Sequence, residues 1–438
     1  MYLLPLLFAC NQYEYFNIAG YEQANFSNDA DILFVIDNSS SMKDESVALG
    51  ENFNTFINTL TSEEGATEST EDLDDAVDAF VSYVTERGKF IDYQLGITTT
   101  SVDFTVGMSS GIDPGEAGLL LGDPRVIDKY DPEVNSKFKQ NLFCGSTYWE
   151  RADLPSGAGY VCGEEPDEIS QAYLDCICGT GWDGNAGSGN EEPLEAALLA
   201  MCRADPDPPD VCYEPISPFT EGDELSNEGF LREDSTLVIV IVGDEGDNSR
   251  RMQQGDTVPT PYMEAFAAFD RRIRIVTIGP NYDAETGDFS CNSGGARTWM
   301  VERLRAASEQ SKGFFRPLEQ KNAAGNCVLA DFAQHLEDLG ALLNSLETAF
   351  QLQSIPDVTT IRVYVDGREI TEAPILNSED YNANPLDVIP SYGDGWSYAS
   401  QDNAVVFWGS EVPDYNADVR IYYRPLAGTP RDLPFSYE

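Results

Sequence analysis

Two strongly apolar segments, each followed at once by an aspartate, dominate the pattern of hydrophobic and polar positions. The segment 32–36 (ILFVI) precedes Asp37, and the segment 235–243 (STLVIVIVG) precedes Asp244. Continuous apolar runs of this length predict strands that are buried on both faces of a parallel sheet. Because the carboxyl ends of parallel strands meet at one edge of a sheet, we expect Asp37 and Asp244 to lie close together.

Helical and strand-like segments alternate along most of the chain. Apolar positions at helical spacing predict helices near 47–60, 76–84, 193–201, 263–269, 298–311 and 331–350. Apolar runs predict further strands at 90–100, 118–121, 273–278 and 313–318. The alternation over residues 29–352 indicates an α/β domain with a doubly wound, mostly parallel central sheet flanked by helices.

The pattern changes near Pro356 to short strands separated by turns. Residues 359–370 alternate between polar and apolar positions around Asp366-Gly367, which is a strong hairpin signal. Three more short strands are predicted at 396–398, 404–408 and 419–423. Residues 356–438 are therefore interpreted as a small all-β, sandwich-like module.

Residues 123–230 are irregular and rich in cysteine, and we interpret them as a disulfide-stapled insertion in the α/β domain. Apart from Cys10, the chain has eight cysteines, which fits four disulfides in an oxidising compartment. They are Cys144, Cys162, Cys176, Cys178, Cys202, Cys212, Cys291 and Cys327. Cys202–Cys212 and Cys291–Cys327 are the expected local pairs, and Cys176 and Cys178 are expected to have different partners. The remaining connectivity stays open.

The first residues favour export. Residues 1–28 are interpreted as a signal-like start and a linker, and the stretch 7–10 (LFAC) resembles a bacterial lipobox. This predicts lipidation of Cys10, localisation to the cell envelope or exterior, and membrane contact only through the lipid anchor. The alternative is an ordinary buried N-terminal segment.

The charge balance excludes one class of partner. The chain has 26 Lys and Arg against 76 Asp and Glu, giving a formal net charge of −50. Such a surface repels phosphate backbones, so nucleic acid is not an expected partner.

The residues after the first apolar segment carry the candidate chemistry. Asp37, Ser39 and Ser41 present three hard oxygen atoms at alternate positions before a predicted helix. Oxygen ligands at this spacing suit Mg²⁺ or a similar divalent cation. The alternative is that Ser41 only caps the next helix, with Asp44 three residues further on.

These segments resemble the von Willebrand factor type A (VWA) family, in its exported, cysteine-bearing bacterial form with a β-rich tail. The resemblance covers residues 29–352, and its most specific stretches are DILFVIDNSSSM and LVIVIVGDEGDNS. It implies a Mg²⁺ (alternatively Mn²⁺ or Ca²⁺) in a metal-ion-dependent adhesion site. Asp37, Ser39 and Ser41 match the first metal loop of that family, and Asp244 matches the aspartate of its third loop.

The second metal loop departs from the family pattern. The family usually offers a threonine before a helix, whereas the stretch 187–193 (GSGNEEP) contains none. Asn190 occupies the closest position, and Ser188 or Glu191 are the alternatives. After Asp244, Glu245 and Asp247 are interpreted as solvated turn residues, or alternatively as a secondary Ca²⁺ site.

The resemblance implies a non-enzymatic protein that binds a protein ligand through the cation, with an acidic residue of the partner as the final metal ligand. The alternatives are an envelope component whose metal only stabilises the fold, and an intracellular VWA partner of an ATPase. Enzymatic activity is not expected, because triad catalysis would depend on the single histidine, His335.

Overall fold

The computed structural model describes residues 29–426 with several gaps. The gaps are 62–91, 103–114, 164–165, 167, 180–186, 188, 233–234, 270, 283–288, 290, 292–295, 348, 353–354, 377–391, 401–402, 409–410, 412, 414–418 and 425. Cys10, Ser188 and the predicted helix near 76–84 lie outside the described residues.

A six-stranded, mostly parallel sheet forms the centre of the α/β region. In chain order its strands are β1 Asp29–Ile36, β2 Asp92–Thr99, β3 Ile127–Asp128, β4 Thr236–Val242, β5 Ile273–Gly279 and β6 Phe315–Pro317. Their spatial order is β3-β2-β1-β4-β5-β6, and only the β2–β3 pair is antiparallel. The predicted mixed α/β class with a mostly parallel sheet is therefore confirmed.

Seven α-helices occur in the described part of the chain. They are α1 Lys43–Thr61, α2 Val134–Gly145, α3 Gln171–Ile177, α4 Pro193–Ala204, α5 Thr260–Ala267, α6 Thr298–Gln310 and α7 Phe332–Glu347. Short 3₁₀ turns lie at Ser40–Met42, Arg151–Asp153, Asp210–Tyr213 and Val358–Thr360. None of the helices within these described ranges combines the length and the apolar character that a membrane span needs.

Alternate residues of β1 point into two separate hydrophobic clusters, which explains its continuous apolar sequence. Phe34 packs against Phe53 of α1 and Phe138 of α2, with 5.0 Å between the ring centroids of Phe34 and Phe138. Leu33 and Val35 belong to the opposite cluster, together with residues of α4, α5 and α6. Both faces of the sheet are thus covered by helices, so both faces of β1 have to be apolar.

Four disulfides are present, as predicted from the cysteine count. The two expected local pairs, Cys202–Cys212 and Cys291–Cys327, are confirmed. Cys176 and Cys178 have different partners, because Cys176 pairs with Cys162 and Cys178 pairs with Cys144. Four disulfides indicate an oxidising, extracellular or envelope environment.

Short antiparallel strands follow the sixth strand of the central sheet. They are β7 Glu319–Lys321, β8 Cys327–Leu329, β9 Ala349–Gln351, β10 Arg362–Val365, β11 Arg368–Ile370, β12 Gly395–Ala399, β13 Ala404–Trp408 and β14 Val419–Tyr422. β7 and β8 pair with each other, and the others form the small sheets β11-β10-β14 and β12-β13-β9. The two three-stranded sheets share one hydrophobic cluster, which includes Val363 and Phe407.

The predicted hairpin is confirmed, and two other predictions are wrong in detail. Asp366 and Gly367 both have positive φ, 51° and 81°, as a two-residue hairpin turn between twisted strands requires. The stretch 118–121 is a turn and coil segment and not a strand. Phe350 lies in β9 instead of the last helix, where its ring packs 5.1 Å from that of Phe407.

The order in which successive strands are added to the sheet reverses between β1 and β4, although these two strands are parallel. From β1 the chain continues to β2 on one side, whereas from β4 it continues to β5 on the other side. The carboxyl ends of β1 and β4 therefore flank a topological switch point, which is where open α/β sheets bind ligands.

We expect Phe34→Ala to destabilise the protein by about 3–5 kcal/mol, because it leaves a cavity in a closely packed aromatic cluster. Urea unfolding followed by circular dichroism measures the change. The control is Tyr130→Ala, because Tyr130 is 74% exposed and its loss should cost less than about 0.5 kcal/mol. Equal losses for the two variants would contradict this account of the core.

Candidate metal centre

Asp37 is buried at the carboxyl end of β1. Its backbone amide donates to the carbonyl of Val242 at 2.9 Å, which extends the pairing of β1 with β4 by one residue. Its Oδ1 accepts a hydrogen bond from the amide of Ser39 at 2.8 Å, whereas its Oδ2 is buried without a hydrogen-bond partner. Burial and then the nearby carboxylate of Asp244 raise the pKa of Asp37 to about 8.

Ser39 and Ser41 place their hydroxyl groups side by side, with 3.0 Å between the two Oγ atoms. Ser39 lies directly before the 3₁₀ turn Ser40–Met42, and Ser41 lies within it. The Ser41 hydroxyl also lies beside Asp244, and it lowers the pKa of that carboxyl. The Ser41 hydroxyl thus lies between the Ser39 hydroxyl and the carboxyl group that follows β4.

Asp244 is partly buried two residues beyond the end of β4. Burial is the largest influence on its pKa and raises it, and its Oδ1 is buried without a hydrogen-bond partner. The expected proximity of Asp37 and Asp244 is therefore observed. Asp37 Oδ2 and Asp244 Oδ1 are both buried without a conventional donor, and the direct interaction of the two carboxyls raises the pKa of Asp37 and lowers that of Asp244.

The second loop brings Glu191 beside Asp37. Glu191 is 2% exposed, and neither of its carboxylate oxygens has a hydrogen-bond partner. Burial, followed by the charge of Asp37 and the carboxyl of Glu245, raises the pKa of Glu191 to about 11. Asn190, the closest sequence match to the family threonine, instead donates from its Nδ2 to Glu192 at 3.1 Å and accepts from Asn248.

Thr100 lines the same cavity as Asp37 and Glu191, and the sequence analysis did not single it out. It follows β2 directly, its amide donates to the carbonyl of Ile36 at 3.0 Å, and its hydroxyl is buried without a partner. The rule that identified Asp37, a polar residue directly after a buried strand, would also have identified Thr100.

The loop after Asp244 is fixed by buried polar contacts and not by solvent. Asp247 is fully buried and accepts from the Ser249 hydroxyl, and the interpretation of Asp247 as a solvated turn residue is wrong. The Arg303 guanidinium on α6 donates to the backbone carbonyls of Asp247 at 2.9 Å and Asp256 at 2.7 Å. Asp247 thus belongs to a buried polar network with Ser249 and Arg303. Such a network reduces the cost of burying a charged side chain.

The oxygen atoms at this sheet edge fit a hard divalent cation in type, and the carboxylate oxygens Asp37 Oδ2 and Asp244 Oδ1 are buried. Carboxylate and hydroxyl oxygens are the ligands of Mg²⁺ and Ca²⁺, and partnerless buried carboxylate oxygens are costly unless a proton or a cation neutralises them. A nearby cation would favour the ionised form of each carboxyl and so lower its pKa. Within the described residues, no group of three or more His, Cys, Asp or Glu side chains is arranged to hold a metal ion. The candidate set combines two carboxylates with serine hydroxyls.

Glu45 is a further buried carboxylate near this centre, in the first turn of α1. It is 8% exposed, and its Oε2 has no hydrogen-bond partner. Burial, together with the charges of Asp244, Asp44 and Glu319, raises its pKa to about 7.

We expect Glu45→Gln to stabilise the cation-free protein at neutral pH. The folded-state pKa of about 7 lies above the ordinary glutamate value of 4.5, so the folded chain holds this proton more tightly than the unfolded chain. Wild-type stability should therefore fall relative to the variant as the pH rises from 4.5 to about 7, by about 3 kcal/mol in total. Urea titrations in EDTA at several pH values measure the difference. Glu51→Gln, on the exposed face of the same helix, should show no such trend, and a flat difference for Glu45→Gln would contradict the assignment.

No protein-family model and no curated protein match the chain. Among solved structures, the chain is similar to the proximal thread matrix protein 1 of the mussel byssus, at 12% sequence identity and a TM-score of 0.28. The match covers 75% of this chain and 50% of the byssus protein. The chain thus spans about half of that protein's length.

Proposed function

We propose that the chain is a VWA-type protein that binds a divalent cation at Asp37, Ser39, Ser41 and Asp244, and that it binds a protein ligand through this cation. The observation that carries the proposal is the pair of buried, partnerless carboxylate oxygens on Asp37 and Asp244, beside the paired serine hydroxyls. Two ionised carboxylates in this position repel each other. A cation would offset both this repulsion and the free-energy cost of removing the carboxylates from water.

Mg²⁺ is the proposed cation, with Mn²⁺ or Ca²⁺ as alternatives. When bound, such an ion supplies positive charge and a coordination position for an oxygen atom of another molecule. The chain's own residues orient the site: the Ser39 amide fixes Asp37, and the Ser41 hydroxyl lies against Asp244. The family resemblance implies that the partner contributes an acidic residue.

The proposed setting is the cell envelope or the exterior of a bacterium. The four disulfides support it, because such bonds persist in oxidising compartments, and they weigh against an intracellular partner of an ATPase. A lipid anchor at Cys10 remains part of the proposal. The net charge of −50 supports a protein or cation ligand over nucleic acid.

A second candidate function is a structural one, in which the cation stabilises the fold and no partner binds. Glu191 favours it, because this buried carboxyl group lies next to Asp37 and occupies space beside the proposed site from within the chain.

We expect Asp37→Asn to abolish the response of the protein to Mg²⁺ without weakening the cation-free fold. In wild-type protein stripped with EDTA, Mg²⁺ at 100 times its Kd should raise the free energy of unfolding by about 2.7 kcal/mol. The variant should show no increase, and its cation-free stability should equal or exceed that of wild type, because the neutral amide removes the repulsion with Asp244. Urea unfolding with and without Mg²⁺ measures both quantities.

The control for this experiment is Asp207→Asn, which removes a charge from an exposed loop and should keep the full Mg²⁺ response. A Mg²⁺ response that survives in Asp37→Asn, or its absence from wild type, would contradict the proposed cation site.

A further inference from the structure

The sheet β11-β10-β14 has one face turned to the core of the β module and one face turned to solvent. Alternate residues from Val419 to Tyr423 pack against the hydrophobic cluster that the two three-stranded sheets share. Arg420, Tyr422 and Arg424 alternate with them and are exposed. Because successive side chains of a strand point to opposite faces, these three side chains lie on the outer face of the sheet.

β10 continues this outer face. In the antiparallel register Arg362 is opposite Tyr422, and Tyr364 is opposite Arg420. Directly opposite residues point to the same side of a sheet, so each tyrosine has an arginine as its cross-strand neighbour. The ring centroids of Tyr364 and Tyr422 lie 5.7 Å apart, and the two rings form one aromatic patch. We call Arg362, Tyr364, Arg420, Tyr422 and Arg424 the arginine–tyrosine face.

The arginine–tyrosine face is open to solvent. Tyr422 is 54% exposed, and the side chain of Arg362 is 58% exposed. Arg362 lies 3.7 Å from Glu369 of β11, measured from Nε to Oε1, and an ion pair between two such exposed side chains contributes little to stability. The sheet packs on its core through the opposite face, so the stability of the module does not account for this combination of side chains.

The charge of this face is opposite to that of the whole chain. Glu369 is the only acidic residue within β10, β11 and β14, so the three arginines of the face leave it positive. The whole chain has a formal net charge of −50. Salt screens exposed charges beyond about 8 Å at physiological ionic strength, and the local arginines therefore dominate the contacts of an anion at this face.

The side chains of the face suit a ligand that combines carboxylates with rigid rings. A guanidinium group binds a carboxylate through two parallel hydrogen bonds. An exposed tyrosine ring offers a flat apolar surface and a hydroxyl, which match the C–H face and the hydroxyls of a sugar ring. A chain of sugar acids presents both features at every unit.

A repeating sugar acid fits this face better than an acidic peptide does. Glutamate side chains lose much of their rotamer freedom when they are held in place, whereas a carboxylate fixed to a sugar ring loses less. An open face also offers several separate contacts instead of one deep pocket, and a repeating ligand can use these contacts together.

We propose that the arginine–tyrosine face binds an acidic polysaccharide of the uronate class, with its carboxylates paired to the arginines and its sugar rings stacked on Tyr422 and Tyr364. The inference does not depend on the proposed cation site, because the face lies in the β module and requires no metal.

The test is calorimetric titration of the full chain with a short oligogalacturonate in EDTA at low salt. EDTA prevents a divalent cation from bridging the acidic protein and the acidic sugar. In the double variant Arg362→Gln/Arg424→Gln we expect the Kd to rise about tenfold, because two exposed ion pairs are lost. Tyr422→Ala should raise the Kd about fivefold, whereas Tyr422→Phe keeps the ring and should leave the Kd close to that of wild type.

Matched controls separate this result from general effects of charge and folding. Arg272→Gln removes an exposed arginine from the α/β region and should leave the Kd unchanged. Asp37→Asn should bind the sugar as tightly as wild type does, so a failure of the cation site leaves this result unaffected. A neutral oligogalactose lacks the carboxylates and should bind more weakly than oligogalacturonate. Thermal melting followed by circular dichroism confirms that each variant is folded.

Three results would overturn the proposal. The first is the absence of oligogalacturonate binding by wild type in EDTA. The second is a wild-type Kd in the folded arginine variant or in folded Tyr422→Ala. The third is equally tight binding of polyglutamate, which would assign the face to an acidic peptide instead of a polysaccharide.

Discussion

The electrostatic constraint at the carboxyl edge of the sheet underlies the rest of the candidate site. The pairing of Ile36 with Val242 places Asp37 and Asp244 at the ends of neighbouring parallel strands, inside a largely buried space. Gly243 makes this approach feasible, because a Cβ at that position would lie only 3.0 Å from the Cβ of Asp37. Two carboxylates so close together are costly when both are ionised, and this cost is the physical basis for expecting a cation there.

Buried ion pairs around the site fix the loops that surround it. Arg250 and Glu192 tie the loop before α4 to the loop after β4, and Arg303 holds the latter loop through its backbone carbonyls. Each of these charges has several hydrogen-bond partners, which is what makes burial tolerable. By contrast, Oδ2 of Asp37 and both carboxylate oxygens of Glu191 are buried without a hydrogen-bond partner.

Position and charge suggest different contributions from the three loops. In the proposed cation site the first loop supplies Asp37 and two hydroxyls, and the third supplies Asp244. The second loop places the buried carboxyl group of Glu191 beside Asp37. The acidic surface and the disulfides are consistent with a protein that works in an oxidising exterior.

The sequence alone determined the α/β class, the two central strands, the 366–367 hairpin and two disulfides, because each depends on local patterning or on short separations in the chain. It also placed Asp37 and Asp244 together, since parallel strands end at a common edge. Only the tertiary structure decided that Glu191, and not Asn190, lies beside Asp37, that Thr100 lines the same cavity, and that Asp247 is buried against Arg303. These facts depend on loops that meet from distant parts of the chain, and no local periodicity encodes which way their side chains point.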